Sequence, residues 1–394
     1  MPSAPKPLHV CMVTSSYPRW PGDAAGSFVA DLAHALVAEG VRVTVVAPDA
    51  PGVLLRDKWA GVEVRRARYW LPASAQRLAY GAGIASNLRA TRLATAQVPP
   101  MLASLAAVAA RVPDVDIFHG HFLQTGAAAW LAAKVRRRPL VVTAHGSDVH
   151  GDVGGDVGSR LGNWVARRAS RTIAVSEPLA ETIRTGTGQP VDVIHIGVDI
   201  QRFRPAPEER VPGRILCVGR LVDLKGHRFA IEAMPAILDR VPSARLMIAG
   251  AGVIEDELRG LAGRAGVASQ VEFLGEVSRE AIPALLRTAA VYLQPSLSEG
   301  FAVSLLEAMA SGLPVVASEL PAFGDRLTDG QTGRIVPVGG VAAIADRVSE
   351  LLLNPELGGE LGSNARALVA DRYTWCGVAQ RTISVYRASI RGIA

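Results

Sequence analysis

The chain has 394 residues, of which 49% are hydrophobic, 20% charged and 5% aromatic, with a net charge of +6. This length is long for one hydrophobic core and suits two domains, and the composition is ordinary for an α/β protein. The three cysteines, Cys11, Cys217 and Cys376, lie far apart. They predict no disulfide framework and no cysteine metal site, which fits a reducing, cytoplasmic location.

Two segments of the sequence bear on targeting and membrane insertion. Residues 1–14 lack a long apolar stretch before a cleavage site, so we expect no signal peptide. Residues 93–110 carry no charge, but Pro99 and Pro100 interrupt them and several polar residues lie among the alanines. A membrane span needs roughly 20 strongly apolar residues. The sequence therefore predicts no transmembrane helix here.

The positive charge is unevenly placed, because residues 1–200 contain 21 Lys and Arg against 15 Asp and Glu. Such a surface either contacts an anionic membrane peripherally or consists of separate solvated arginines. No motif supports nucleic-acid binding. The three basic groups are Arg65, Arg66, Arg68, Arg77, Arg89 and Arg92; Lys134, Arg136, Arg137 and Arg138; and Arg160, Arg167, Arg168 and Arg171.

In chain order, the first half alternates apolar runs with helical stretches. A helix at residues 27–39 separates the first two predicted strands, and Gly40 ends it. Continuous apolar strands separated by helices are typical of a parallel sheet that is covered on both faces. The predicted strands are residues 10–14, 41–47, 116–119, 140–144, 172–175 and 191–195.

The second half repeats this architecture after an irregular connection near residues 189–207. Its pattern predicts a second doubly wound sheet. Residues 373–393 have the spacing of an amphipathic helix. The predicted strands of this half are residues 214–218, 245–249, 270–273, 291–293 and 314–317.

The most informative stretch is residues 295–318, PSLSEGFAVSLLEAMASGLPVVAS. It predicts a helix with Glu299 at its N-terminus, Glu307 two turns inside and Gly312 at its C-terminal end. Eight helical residues span about 12 Å and turn the side chain by about 80°, so both carboxylates can face one cleft. A helix N-terminus suits a phosphate, whereas a carboxylate suits hydroxyl groups. The layout predicts a ligand with a diphosphate and two hydroxyl-rich ends.

This stretch resembles the corresponding segment of retaining nucleotide-sugar glycosyltransferases of GT-B fold, in particular glycosyltransferase family 4. The resemblance implies two Rossmann-like doubly wound domains that face a cleft. It places the acceptor-side domain at residues 1–190 and the donor domain at residues 191–372, with a C-terminal helix in residues 373–394 that packs back on the first. Four further blocks support it: VGRLVDLKG at 218–226, IAGAG at 248–252, FLGEVS at 273–278 and GVD at 197–199.

The resemblance also implies roles in the donor domain. Arg220 and Lys225, in the turn after strand 214–218, would hold the donor's diphosphate. Glu307 would accept hydrogen bonds from the ribose hydroxyls, and Glu299 would contact hydroxyls of the transferred sugar. The alternative for both cations is a pair of exposed turn residues. The remaining implied donor contacts are Gly219, the nucleobase-side segment with Gly275 and Val277, and the backbone of Gly300, Phe301 and Ala302.

In the acceptor-side domain the resemblance implies that His145, after strand 140–144, contacts a sugar hydroxyl. The alternative is a structural histidine at a strand end. Gly26 would let the loop after the first strand approach the phosphates and acceptor. His119 and His121 would line the cleft, or else be structural. Asp148 would orient His145, bind the acceptor, or cap the following turn.

The implied reaction is transfer of a hexose from a UDP- or GDP-linked sugar to a saccharide, lipid-linked or small-molecule acceptor, with retention of anomeric configuration. We expect no cofactor and no metal, since Arg220, Lys225 and helix N–H groups would stabilise the leaving diphosphate. Arg220, Lys225, Glu299 and His145 are the expected catalytic residues. The alternatives are a GT-B sugar-nucleotide epimerase and a non-catalytic module that binds sugar nucleotides.

Overall fold

The computed structural model describes residues 6–81, 83–146 and 155–392. The chain forms two compact units, Met1–Gly197 with Trp375–Ala394, and Val198–Thr374. The second unit is therefore inserted between the body of the first unit and its last helix. Asp148 lies outside the described residues.

The first unit is built on a sheet in which all neighbouring strands are parallel except β3 and β4. Its described strands follow the order β3-β4-β2-β1-β5-β6-β7-β8. The central strands β1, β5 and β6 are fully buried, and apolar residues such as Val10, Phe118 and Val141 fill most of both faces. The strands are β1 (His9–Val13), β2 (Arg42–Pro48), β3 (Arg56–Trp59), β4 (Val62–Ala67), β5 (Ile117–His121), β6 (Leu140–Ala144), β7 (Arg171–Ala174) and β8 (Val191–Val193).

Helices of the first unit cover this sheet. The last of them comes from the C-terminus and packs on α1 and β6, where Val378, Ile383 and Tyr386 join the core. This contact is the one that the resemblance implied for the terminal helix. The described helices are α1 (Ser27–Ala38), α2 (Ile84–Ala90), α3 (Arg92–Ala96), α4 (Val98–Ala110), α5 (Gly126–Arg136), α6 (Gly155–Ala166), α7 (Glu177–Thr187) and α14 (Trp375–Arg391).

The second unit contains a parallel sheet in the order β11-β10-β9-β12-β13-β14. Its strands are β9 (Arg214–Val218), β10 (Arg245–Ala249), β11 (Val271–Gly275), β12 (Val291–Gln294), β13 (Val315–Ser318) and β14 (Arg334–Val336). Its helices are α8 (His227–Arg240), α9 (Glu255–Arg264), α10 (Ile282–Thr288), α11 (Val303–Ala310), α12 (Val341–Leu353) and α13 (Pro355–Arg372). Strand order and crossovers make both units doubly wound.

The structure differs from the sequence prediction at a few elements. Strands β3, β4 and β14 were not predicted, because charged residues interrupt the apolar pattern of β3 and β4, and β14 has only three residues. The observed division between the units falls at Gly197, after the predicted boundary at 190, because β8 pairs with β7 and so belongs to the first sheet.

The stretch Arg92–Ala110, which contains α3 and α4, is long and apolar enough to cross a membrane when judged by length and composition. In the structure its residues Met101 and Leu105 are buried in the first unit. Gln97, between the two helices, is fully buried and accepts a hydrogen bond from the Arg77 N–H at 2.8 Å. The stretch therefore packs against the sheet of the first unit through one face.

Candidate functional site

The candidate site of the second unit lies at the carboxyl ends of its parallel strands, where ligands of doubly wound sheets bind. The loop after β9 and the loop after β12 meet there at Gly226. This glycine has φ 64° and caps α8, and a Cβ at this position would lie 2.0 Å from the carbonyl oxygen of Pro295. Only glycine permits this approach. The two loops that carry Lys225 and Glu299 are thus held together by backbone contact.

Lys225 and Glu299 form the centre of the site. The Lys225 Nζ donates to both carboxylate oxygens of Glu299, at 2.7 and 2.8 Å. The side chains are 19% and 6% exposed, so the pair is largely removed from water. A buried carboxylate needs such a partner, because an uncompensated buried charge is strongly destabilising. Two residues that are 74 positions apart in the sequence are therefore brought into direct contact.

A buried polar network fixes the orientation of Glu299. The Ser296 hydroxyl and the Gln294 amide donate to its Oε1 at 2.7 and 2.8 Å. Gln294 accepts in turn from the Tyr292 hydroxyl at 2.6 Å. Burial raises the pKa of Tyr292, which stays a neutral donor. None of these three residues was predicted to belong to the site, although their alternation along β12 and its extension, Y-x-Q-x-S, was a readable signal.

Glu299 lies in the loop before α11, which begins at Val303. Glu307 is therefore in the second turn of the helix, so the prediction that it lies two turns inside was wrong. The reason is Ala302, which adopts a left-handed conformation with φ 57° and delays the start of the helix. Glu307 is partly buried, while Arg220 is exposed in the loop after β9. The structure thus places Arg220, Lys225 and Glu299 at the same edge of the sheet, with Glu307 one turn inside the helix that follows.

The segment Gly300–Ala302 is held by a buried arginine that sequence reasoning missed. The Arg326 Nη1 donates to the Phe301 carbonyl at 2.6 Å, and its guanidinium lies 4.0 Å from the Phe301 ring centroid. Arg326 is only 2% exposed. This contact combines a charge-assisted hydrogen bond with a cation–π interaction. It orients the backbone that the resemblance assigns to the sugar and phosphates.

The other predicted donor residues border the same edge. Gly219 follows β9, and a Cβ there would lie 3.7 Å from the His227 Nε2. His227 is 2% exposed, and burial lowers its pKa to about 4, so it is neutral at pH 7. Gly275 ends β11 and accepts a hydrogen bond from the Gly250 N–H at 2.8 Å. Val277 is partly buried in the loop that follows.

In the first unit, Gly26 lies directly before α1 with φ 63°. A Cβ at this position would lie 2.2 Å from the carbonyl oxygen of Ser16. The loop after β1 therefore folds back on itself, and glycine is required for that turn. The predicted approach of Gly26 to phosphates and acceptor stays a prediction.

Three histidines cluster at the carboxyl ends of β5 and β6. His119 uses both ring nitrogens inside the unit, with Nδ1 at 2.6 Å from the Tyr386 hydroxyl and Nε2 at 2.7 Å from the Thr143 hydroxyl. His121 Nδ1 lies 3.1 Å from the Nε2 of His145. His119 and His121 are fully buried. Both ring nitrogens of His119 are thus used inside the unit, which favours the structural alternative for this residue. That His121 lines the cleft stays a prediction.

His145 lies at the outer end of this cluster and is partly buried. Phe28 and Phe122 each pack on its ring at 4.8 Å between centroids. Burial lowers the pKa of His145 to about 3, so its ring is neutral at physiological pH. A neutral imidazole has one donor and one acceptor nitrogen, which suits it to a hydroxyl group.

The buried histidines predict acid sensitivity. Burial lowers the pKa of His119 to about 3 and holds that of His121 well below 6.5. Below pH 6.5 the unfolded chain takes up protons that the folded rings reject, so stability falls by about 1.4 kcal/mol per pH unit for each histidine. We expect His119 and His121 together to lower the free energy of unfolding by about 4 kcal/mol between pH 7 and pH 5. Urea unfolding at both pH values measures this, and equal stabilities would contradict it.

The structure changes the interpretation of the first basic group. Arg66 is 4% exposed in β4, where its guanidinium donates to the Tyr80 hydroxyl at 2.8 Å and to the carbonyl of Pro18. Arg65 pairs with Glu63, and Arg68 pairs with Asp49. Because buried and paired cations attract distant anions weakly, these three do not form a free basic patch. In the second and third groups, Lys134 and Arg167 are among the exposed cations.

Within residues 6–81, 83–146 and 155–392, no cluster of three or more histidine, cysteine or acidic side chains could hold a metal ion. Cys11 and Cys217 are buried in strands, as predicted, and Cys376 is exposed. Burial raises the pKa of both strand thiols. They act as small apolar side chains.

Comparisons with known proteins cover nearly the whole chain. The family described as glycosyl transferases group 1 matches residues 199–368, and glycosyltransferase family 4 matches residues 25–202. A phosphatidyl-myo-inositol mannosyltransferase of Mycobacterium leprae is 31% identical and covers 91% of each chain. A D-inositol 3-phosphate glycosyltransferase of Streptomyces coelicolor is 30% identical and covers 94% of this chain and 88% of the relative.

Solved structures support the fold. The Anabaena protein HepE, in complex with UDP and glucose, aligns with a TM-score of 0.76 at 19% identity, covering 97% of this chain and 100% of that one. The sucrose-phosphate synthase of Thermosynechococcus elongatus aligns with a TM-score of 0.78 at 21% identity, covering 98% and 100%. Two doubly wound domains of GT-B type, as predicted, are thereby confirmed.

Proposed function

Because the chain belongs to the group 1 glycosyltransferases of family 4, we propose that it transfers a hexose from a UDP- or GDP-linked sugar with retention of anomeric configuration. No metal or cofactor takes part in this proposal. The observation that carries it is the Lys225–Glu299 pair, at 2.7 Å, at the carboxyl edge of the second sheet. A cation and a carboxylate side by side match a ligand in which phosphate adjoins hydroxyl groups.

In this proposal Lys225 and Glu299 bind different parts of the donor. Lys225 and the exposed Arg220 neutralise the diphosphate, on which negative charge grows as the sugar leaves. Glu299, held by Ser296 and Gln294, accepts hydrogen bonds from sugar hydroxyls. Lys225 also shields the diphosphate from the Glu299 carboxylate, which would otherwise repel it. Glu307 accepts from the ribose hydroxyls in the same scheme.

In the same proposal the first unit is the acceptor-side domain. His145, neutral and oriented by His121 at 3.1 Å, contacts a sugar hydroxyl. Both named relatives act on acceptors that contain an inositol ring and a phosphate, as their names state. We therefore propose an inositol-containing phosphate as the acceptor. A cytoplasmic location, with peripheral contact at an anionic membrane, stays a prediction.

One reaction series tests this function. UDP- and GDP-linked glucose and mannose are each incubated with D-inositol 3-phosphate or with phosphatidylinositol vesicles, in excess EDTA. We expect one donor and acceptor pair to give a glycoside whose anomeric proton, read by NMR, has the donor's configuration. An inverted product would contradict the retaining reaction. Activity that returns only with added Mg²⁺ or Mn²⁺ would contradict the role given to Lys225 and Arg220.

A further inference from the structure

The second unit has a pocket at the opposite edge of its sheet from Lys225 and Glu299. It has a volume of about 480 Å³ and lies where β9, β10 and β11 begin. Strand β9 has five residues, so about 16 Å of sheet separates this edge from the donor edge. The polar and charged lining consists of Arg214, Arg245, Ser243, Ser269, Gln270 and Glu272.

Two arginines stand side by side in this pocket. Arg214 and Arg245 are direct neighbours in the parallel pairing of β9 with β10. Neighbouring strands lie about 4.8 Å apart, and like charges placed opposite each other destabilise a sheet. An anion bound between the two guanidinium groups would offset this repulsion.

Neither arginine forms an ion pair with a carboxylate in the described part of the second unit. The one hydrogen bond from the Arg245 side chain goes to the Ala244 carbonyl at 2.9 Å. Most guanidinium N–H groups of the two residues thus remain available. Other arginines of this unit are paired with acidic residues: Arg228, Arg240, Arg259, Arg287 and Arg334.

We propose that this pocket binds a phosphorylated sugar or polyol, at a site separate from the donor site. Planar guanidinium groups match the geometry of phosphate oxygens, and two of them bind a dianion better than one. The pocket is also lined by Ser243, Ser269, Gln270 and Glu272, whose polar groups suit hydroxyl groups. A pocket of about 480 Å³ falls in the size range of small-molecule sites.

Calorimetry with glucose 6-phosphate, inorganic phosphate and glucose tests the proposal. For the parent protein we expect glucose 6-phosphate to bind with a Kd in the millimolar range or tighter, and glucose alone not to bind. The Arg214→Ala, Arg245→Ala double variant should weaken the binding at least 10-fold. Glu272→Gln should reduce the preference for glucose 6-phosphate over inorganic phosphate. Circular dichroism of each variant confirms that it is folded.

Two control variants test whether the ligand binds in this pocket and not elsewhere on the protein. Arg228→Ala removes an exposed arginine of the same unit and should leave the affinity unchanged. Lys225→Ala removes the central cation of the proposed donor site and should also leave the affinity for glucose 6-phosphate unchanged. The proposal for this pocket can therefore fail while the proposed donor site stands, and the reverse. Equal affinity in the parent and the double variant would overturn the proposal. Loss of binding in Lys225→Ala would overturn it as well, because the ligand would then occupy the donor site.

Discussion

Replacement of Lys225 by alanine is expected to lower kcat/KM for glycosyl transfer by at least about 100-fold, the usual scale for a group that stabilises developing charge. The substitution removes a cation from the leaving diphosphate. It also leaves the Glu299 carboxylate, which is 6% exposed, without its ion-pair partner. A buried charge without a partner is strongly unfavourable. Steady-state kinetics with the donor identified by the reaction series measures the loss.

A double-mutant comparison separates the two causes. If the pair acts as a unit, Glu299→Gln in the Lys225→Ala background should cost less activity than Glu299→Gln alone, because coupled residues are not additive. Arg228→Ala, on the exposed face of α8, should keep the parent's kcat/KM. A Lys225→Ala enzyme that retained more than about a third of the parent's kcat/KM would contradict the role of this residue.

Replacement of Gly226 by alanine is expected to lower the free energy of unfolding of the second unit by about 3 kcal/mol, and its melting temperature by about 6–12 °C. Two effects destabilise the variant, the backbone conformation and a steric clash. The residue has φ 64°, and the new Cβ would lie 2.0 Å from the Pro295 carbonyl oxygen. The loops that carry Lys225 and Glu299 would have to separate, so transferase activity should fall as well. Differential scanning calorimetry measures the shift.

Gly359→Ala is the matched control for this substitution. Gly359 lies within α13, and a Cβ there meets no atom within 4 Å. Alanine in a helix interior is favoured over glycine by up to about 1 kcal/mol, so this variant should be as stable as the parent or more stable. If both variants melted at the same temperature, the close approach at Gly226 would not limit stability.

The regular elements could be predicted where the apolar pattern is continuous. Strands β6, β9 and β10 were predicted at their observed bounds, because buried apolar residues make up most of each strand. Strand β4 could not be predicted from its pattern. Its arginines resemble a solvated surface, yet Arg66 is buried and its guanidinium is satisfied by backbone carbonyls and a tyrosine hydroxyl. Such compensation depends on residues distant in sequence.

The candidate site, too, could be predicted from the sequence only in part. Lys225 and Glu299 could be singled out from local sequence, but their contact could not, because it depends on how the loops after β9 and β12 meet. The start of α11 was misplaced since Ala302 gives no signal for a left-handed conformation, which alanine rarely adopts. The roles of Gln294 and Arg326 arise from burial beside Glu299 and Phe301, and burial is a property of the fold.

The place of α14 in the first unit has a consequence for synthesis on the ribosome. Met1–Gly197 leave the exit tunnel early, but the unit is complete only with Trp375–Ala394. At typical rates of 5–20 residues per second, translation of the intervening unit takes roughly 10–35 s. During that interval His119 lacks its contact with the Tyr386 hydroxyl, and the surfaces of α1 and β6 that α14 covers stay exposed. The later-made unit, Val198–Thr374, can close its own core first, so the order of completion reverses the order of synthesis.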